Sequence, residues 1–285
     1  MFTLAVIAFD VIVLVWTGLK ILKKSEEVVY PVGKYLAWGL FMSAFGIFMY
    51  GVRSIVLQFE PFETMLKIDE LIYRPGVFGH FIGCALLVWF VYKGFAPKLF
   101  TKITAPLVLG LLLLVSLSMV FFPILAKVHQ APLEPIRFMM TSRPWAWPWM
   151  NLEFVYACFI GSVAVFGIFL YNALVRESKK KALFLGIPTA ILIHFGIAAI
   201  SKPSTFFLSA NMCWMLMIIG LILLILVIFL SKNKRQVGKA IMYGFGTSLL
   251  ISAAIPCVFI SPVFARIGYG IGALLTYKAF GMKSE

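Results

Sequence analysis

The chain has 285 residues, of which 62% are hydrophobic and only 13% are charged. That charged share is about half of what an ordinary soluble domain carries, so the composition excludes a soluble enzyme, a disordered chain and a fibrous repeat. A membrane-spanning helix needs roughly 20 apolar residues, and we therefore predict an all-α, polytopic integral membrane protein. A net charge of +14 would indicate nucleic acid in a soluble protein, but here the cations first indicate topology.

Nine apolar segments follow one another along the chain. They cover residues 2–18, 35–57, 77–95, 105–126, 151–174, 182–200, 206–230, 241–260 and 263–280. The last two are separated only by Ser261 and Pro262, so they are two spans, one bent hairpin or a re-entrant element. We therefore predict eight or nine spans in one membrane domain over residues 1–285, with N-terminal helices in 1–130 and C-terminal helices in 131–285.

The cations are distributed unequally between the two proposed sides of the membrane. In the nine-span arrangement, 17 of the 25 Lys and Arg residues lie on one side. Because cytoplasmic loops carry the excess of Lys and Arg, this predicts an outside N-terminus and an inside C-terminus in the cytoplasmic membrane. No cation precedes the first segment, which favours a span over a signal peptide. The inside cations suit the lipid bilayer, and no nucleic acid is needed as a partner.

Two long loops are predicted on the outside, over residues 58–76 and 127–150. The first carries four acidic residues and the second carries four Pro and three Trp. Long loops on one face suggest that recognition occurs there. The four cysteines are isolated within apolar segments, so we predict small buried thiols and no metal site.

A few polar residues fall inside the apolar segments, where they are expensive and often functional. They include Asp10, His80, Asn151, Glu153 and His194. Asp10 and Glu153 are candidates for proton transfer. Alternatively, Asp10 is a protonated carboxyl that bonds to a neighbouring helix, and Glu153 interacts with its own helix N-terminus. All except Asp10 lie in the predicted outer half of the membrane, so this half is the expected site.

The two membrane histidines, His80 and His194, allow three interpretations. Each can be an interhelical hydrogen-bond partner. Together they can be axial ligands of one haem b, and either can hydrogen-bond a quinone carbonyl.

A tryptophan-rich run precedes the fifth segment. Trp145, Trp147 and Trp149 are typical of a membrane-interface anchor. The alternatives are a mouth for a flat apolar ligand and a docking face for a peripheral subunit, where Arg137 and Arg143 would pair with acidic groups.

Two passages within residues 143–230 resemble a known family. The first is the sequence WAWPWMN, which ends at Asn151. The second is GIPTAILIH, which ends at His194, followed by Lys202–Pro203 and by FFLSA. Both are similar to the NrfD/polysulfide-reductase membrane-anchor family, from which the chain departs in having Lys202 where arginine is usual.

The resemblance implies a membrane subunit that binds menaquinone or ubiquinone and has no haem of its own. Such a subunit exchanges electrons with an iron–sulfur subunit on the outer face, within a respiratory oxidoreductase of several subunits, and does not act as an enzyme alone. Asn151 and His194 match motif positions, and Glu153 is our addition from the same helix start. The alternatives are a haem b anchor that uses His80 and His194, and a transporter with no redox role that uses Asp10 and Glu153.

Overall fold

Helices make up the described part of the chain, with the exception of one small β-hairpin. The computed structural model describes residues 2–27, 32–59, 62–98, 101–121, 125–130, 137–142, 165–201, 209–253 and 262–282. Its helices are α1 (Phe2–Glu27), α2 (Gly33–Phe59), α3 (Phe62–Phe95), α4 (Thr104–Phe121), α5 (Ile168–Val175), α6 (Lys179–Lys181), α7 (Ile187–Ser201), α8 (Ala210–Leu230), α9 (Lys234–Ser248) and α10 (Pro262–Gly281). The π-helical turns Ala182–Gly186 and Leu249–Ala253 connect α6 to α7 and extend α9.

Among the described residues, four helices are long and apolar enough to cross a membrane. The candidate spans are Leu4–Glu26, Gly33–Arg53, Arg74–Phe95 and Ala210–Leu230. They agree with a helical membrane protein, whereas the number of eight or nine spans and the orientation remain predictions. The span in α8 is largely exposed, with Phe229 at 73%, as expected for a helix that faces lipid on most sides.

A first helix group consists of α1, α2, α3 and α10. Helices α2 and α3 pack antiparallel along a seam of small residues. A Cβ atom on Gly46 would lie 2.8 Å from the backbone nitrogen of His80, and one on Gly83 would lie 2.5 Å from Ser43 Oγ. Glycine is therefore needed at both positions, and small residues of this kind let membrane helices approach backbone to backbone.

A second helix group consists of α5, α7, α8 and α9. Its helices α7 and α8 also approach closely, since a Cβ atom on Gly220 would lie 2.7 Å from the backbone nitrogen of Ile193. The two groups meet where α9 packs on α10. There, a Cβ atom on Gly272 would lie 2.7 Å from the carbonyl oxygen of Gly246, so backbone contact joins the groups.

The described parts of two predicted loops have regular structure. The loop predicted over 58–76 is wrong, because α2 continues to Phe59 and α3 begins at Phe62. The acidic residues of this segment lower its hydropathy without breaking the helix, so hydropathy alone predicts a loop there.

The all-α prediction is confirmed, and one small β-hairpin is the exception to helix among the described residues. Strands β1 (Leu125–Gln130) and β2 (Arg137–Ser142) pair antiparallel, within the segment that was expected to be an irregular loop. Both strands contain β-branched or aromatic residues, which favour extended backbone, and α4 ends before them at Phe121.

Several helix ends meet at one end of the structure, which we call the basic end. Lys93 Nζ at the end of α3 donates to Tyr35 Oη at the start of α2, at 3.3 Å. A Cβ atom on Gly33 would lie 3.1 Å from the Phe280 ring at the end of α10. The cations of these helix ends are Lys20, Lys23, Lys24, Lys34, Lys93, Arg235, Lys239 and Lys278.

Candidate functional site

His80 is buried in the first helix group and contacts a tyrosine from a distant part of the chain. Its Nε2 lies 3.3 Å from Tyr269 Oη on α10 and 3.7 Å from Cys84 Sγ on its own helix. The ring also meets those of Phe81 and Tyr269 edge to face. With 5% of its surface exposed, His80 is an interhelical hydrogen-bond partner, as one of the sequence interpretations proposed.

Two polar atoms of this region have no hydrogen-bond partner among the described residues. They are His80 Nδ1 on α3 and Ser43 Oγ on α2, and both are buried. A buried polar atom without a partner costs free energy, and membrane interiors offer no water to replace it. The α2–α3 seam therefore keeps hydrogen-bonding capacity beyond the Tyr269 contact.

Asp10 on α1 contacts the same turn of α10 that carries Tyr269. Its side chain is fully buried, and Oδ1 accepts a hydrogen bond from the backbone nitrogen of Gly270 at 3.1 Å. A Cβ atom on Gly270 would lie 2.8 Å from that oxygen, so only glycine leaves room for the carboxyl group. Asp10 thus has a partner on a neighbouring helix. The partners of His80 and Asp10, Tyr269 and Gly270, are consecutive residues of α10.

Tyr269 was missed by the sequence reasoning, although a signal was present. It stands between Gly268 and Gly270 in an apolar helix, where glycines mark close approach and a hydroxyl needs a partner. Arg53 on α2 is also buried, with 8% of its surface exposed.

His194 is buried in the second helix group among aromatic rings. The centroid of the His194 ring lies 5.1 Å from that of Phe166 and 6.3 Å from that of Phe245. Its Nδ1 lies 3.0 Å from the carbonyl oxygen of Ala190. Because a carbonyl only accepts, Nδ1 carries the hydrogen, and in the neutral ring Nε2 is then a hydrogen-bond acceptor.

The structure does not bring the two histidines together. His80 contacts Tyr269 and Cys84, whereas His194 contacts Phe166 and Phe245, and these neighbours belong to different helix groups. No group of three or more His, Cys, Asp and Glu side chains that could hold a metal ion occurs among the described residues.

Several predicted site residues lie outside the described residues. These are Asn151, Glu153, Arg143, Trp145, Trp147 and Trp149. Arg137 is the first residue of β2, which fixes its place in the hairpin alone. The docking face for a peripheral subunit therefore stays a prediction.

A carboxylate at the basic end joins two loops of the second helix group. Glu177, which follows α5, accepts hydrogen bonds from Ser231 Oγ at 2.6 Å and from the backbone nitrogens of Lys232 and Asn233 at 3.0 and 2.8 Å. Burial acts to raise the pKa of this carboxyl, but these hydrogen bonds and the one from Lys181 outweigh it and lower the pKa from 4.5 to about 2. We call this arrangement the Glu177 clasp.

Comparison of the chain with family models, with curated proteins and with solved structures gave no match. The function is therefore inferred from the geometry of two regions, the one around Asp10 and His80 and the one around His194.

Proposed function

We propose that this chain is a membrane subunit that binds a quinol or quinone and exchanges its electrons with an iron–sulfur subunit. The observation that carries the proposal is that both helix groups bury titratable side chains. These are Asp10, His80 and Tyr269 in the first group and His194 in the second. Ionisable groups inside a membrane are costly and mark ligand or proton pathways.

His194 is the residue we assign to the quinol ring. Its Nδ1 is held by the carbonyl of Ala190, which leaves Nε2 to accept a hydrogen bond from a quinol hydroxyl. Phe166 and Phe245 are 4.9 Å apart between ring centroids and give this position the apolar, aromatic surroundings that an aromatic ligand prefers. The tautomer favours quinol over quinone, because a quinone carbonyl needs a donor.

Quinol oxidation releases two protons with two electrons, and the protons need acceptors. Asp10, His80 and Tyr269 are titratable groups connected through one turn of α10. We assign proton transfer to this cluster, with Glu153, which lies outside the described residues, as a further predicted acceptor. Eight or nine spans, an outer iron–sulfur partner and menaquinone or ubiquinone as ligand belong to the same proposal.

The test is quinol-linked turnover of the native complex with His194→Ala. We expect a loss of about a hundredfold or more, because a positioned group that accepts the reacting proton contributes about 10²–10⁴-fold. His129→Ala, which alters a histidine of β1, is the matched control and should keep the wild-type rate. Wild-type turnover in both variants would contradict the assignment of His194.

A proton-coupled transporter is the second candidate, and the cross-helix bond of Asp10 favours it. Asp10 joins α1 to α10, so protonation would weaken a contact between helices. Proton uptake by liposomes that contain only this chain, abolished by Asp10→Asn, would support the transporter. Co-purification with an iron–sulfur subunit and extractable quinol would support the first proposal. An α-band in the reduced spectrum would instead indicate haem b.

A further inference from the structure

Two lysines converge on the last turn of α10 at the basic end. Lys24 Nζ lies 5.9 Å from the centroid of the Phe280 ring and 3.7 Å from the position that a Cβ atom would take at Gly281. Lys239 Nζ donates a hydrogen bond to the carbonyl oxygen of Met282. The absent side chain of Gly281 therefore leaves space into which an ammonium group from α1 reaches, beside one from α9.

Among the described residues, positive charges lie around this turn. Burial lowers the pKa of Lys239, and the charges of Lys24 and Arg235 lower it further. Glu26 is two residues beyond Lys24, which places it on the opposite side of α1, and it is exposed. A single cation would complement the carbonyl end of α10, and a second ammonium group at the same turn favours an anionic ligand that both can bind.

We infer that Lys24 and Lys239 bind a phosphate group, and that this is the phosphate of an anionic phospholipid. Phosphate oxygens accept hydrogen bonds from both ammonium groups. The two lysines come from α1 and α9 and meet at the end of α10, so one headgroup would bridge three helices. A lipid is the expected source because basic helix ends lie at the level of the headgroups. This inference does not depend on the proposed function.

The experiment measures lipid binding to the purified full chain by native mass spectrometry, with phosphatidylglycerol and phosphatidylcholine as probes. Wild-type protein should retain phosphatidylglycerol preferentially. The variant Lys24→Gln/Lys239→Gln should weaken that binding by about thirtyfold, which is the effect of two surface lysines. Lys179→Gln/Lys180→Gln removes two exposed lysines of α6 and should leave it within about threefold of wild type.

Further arms separate the sources of phosphate and guard against misfolding. Inorganic phosphate should not displace phosphatidylglycerol; if it does so at equal phosphate concentration, the lipid assignment is wrong and the ligand is soluble. Lys24→Arg/Lys239→Arg keeps both charges and should restore binding, even if the glutamine variant is unstable. Equal loss in the α6 control, or no preference for phosphatidylglycerol in wild type, would overturn the site.

Discussion

The two buried histidines have opposite kinds of surroundings. His80 bonds across helices to Tyr269, next to the bond from Asp10 to Gly270. His194 bonds to a carbonyl of its own helix and is otherwise surrounded by aromatic rings. The first helix group thus has polar bonds between helices in its interior. The second has such bonds at its basic end, in the Glu177 clasp, whereas the neighbours shown for the His194 ring are aromatic.

The largest expected effect concerns the seam that positions His80. Gly46→Leu would place a side chain against the backbone of His80, where a Cβ atom alone comes within 2.8 Å. We expect the free energy of unfolding to fall by about 3 kcal/mol, at the upper end of overpacking costs, measured by reversible unfolding in detergent. A variant as stable as wild type would show that α2 and α3 do not approach this closely.

The second prediction tests whether the second group depends on its clasp. Glu177→Gln should lower the free energy of unfolding at neutral pH by about 1.5 kcal/mol, a typical loss for hydrogen bonds to a charged group. Because the pKa of Glu177 is lowered from 4.5 to about 2, the carboxylate stabilises the fold above pH 4.5, and this contribution is lost as the pH falls towards 2. The difference from wild type should therefore shrink over that range. A constant difference would indicate that ionisation of Glu177 is irrelevant.

The third prediction separates the two histidines directly. Tyr269→Phe removes the hydroxyl that lies 3.3 Å from His80 Nε2 and should cost about 1 kcal/mol. The imidazole ¹⁵N signals of His80 should shift while those of His194 stay in place. Tyr277→Phe is the control on the same helix, because the ring of Tyr277 packs on Trp16. Equal shifts in both histidines would mean that the two regions are coupled.

The smallest effect is a gain in stability. Gly238 lies in α9, and nothing stands within 4 Å of the position that its Cβ atom would take. Gly238→Ala should therefore raise the free energy of unfolding by about 0.5–1 kcal/mol, because alanine is the better helix former. The same unfolding assay as for Gly46→Leu gives the contrast between a glycine required by packing and one that is not. A loss would reveal a contact at this end of α9.

Local patterns predicted individual helices well. The predicted last segment, 263–280, coincides almost completely with α10 (Pro262–Gly281). The length of the apolar segment decides such boundaries. Capping residues decide others: Ser209 caps the start of α8 by accepting a hydrogen bond from the backbone nitrogen of Met212.

Contacts between distant segments could not be predicted in this way. Asp10 was recognised as unusual, but its partner Gly270 contributes only a backbone group, which no side-chain pattern reveals. His80 and His194 were expected at similar depth and could have shared a ligand, yet helix packing assigns them to different groups. Pairing of this kind is set by the approach of whole helices, and glycine positions hold much of that information.

The bond between Asp10 and Gly270 has a consequence for biosynthesis. The two residues are separated by 260 positions, so α1 enters the membrane long before the residue that donates this hydrogen bond. We expect the contact between α1 and α10 to form only when the last described helix inserts, so that arrival of α10 completes this part of the polar core.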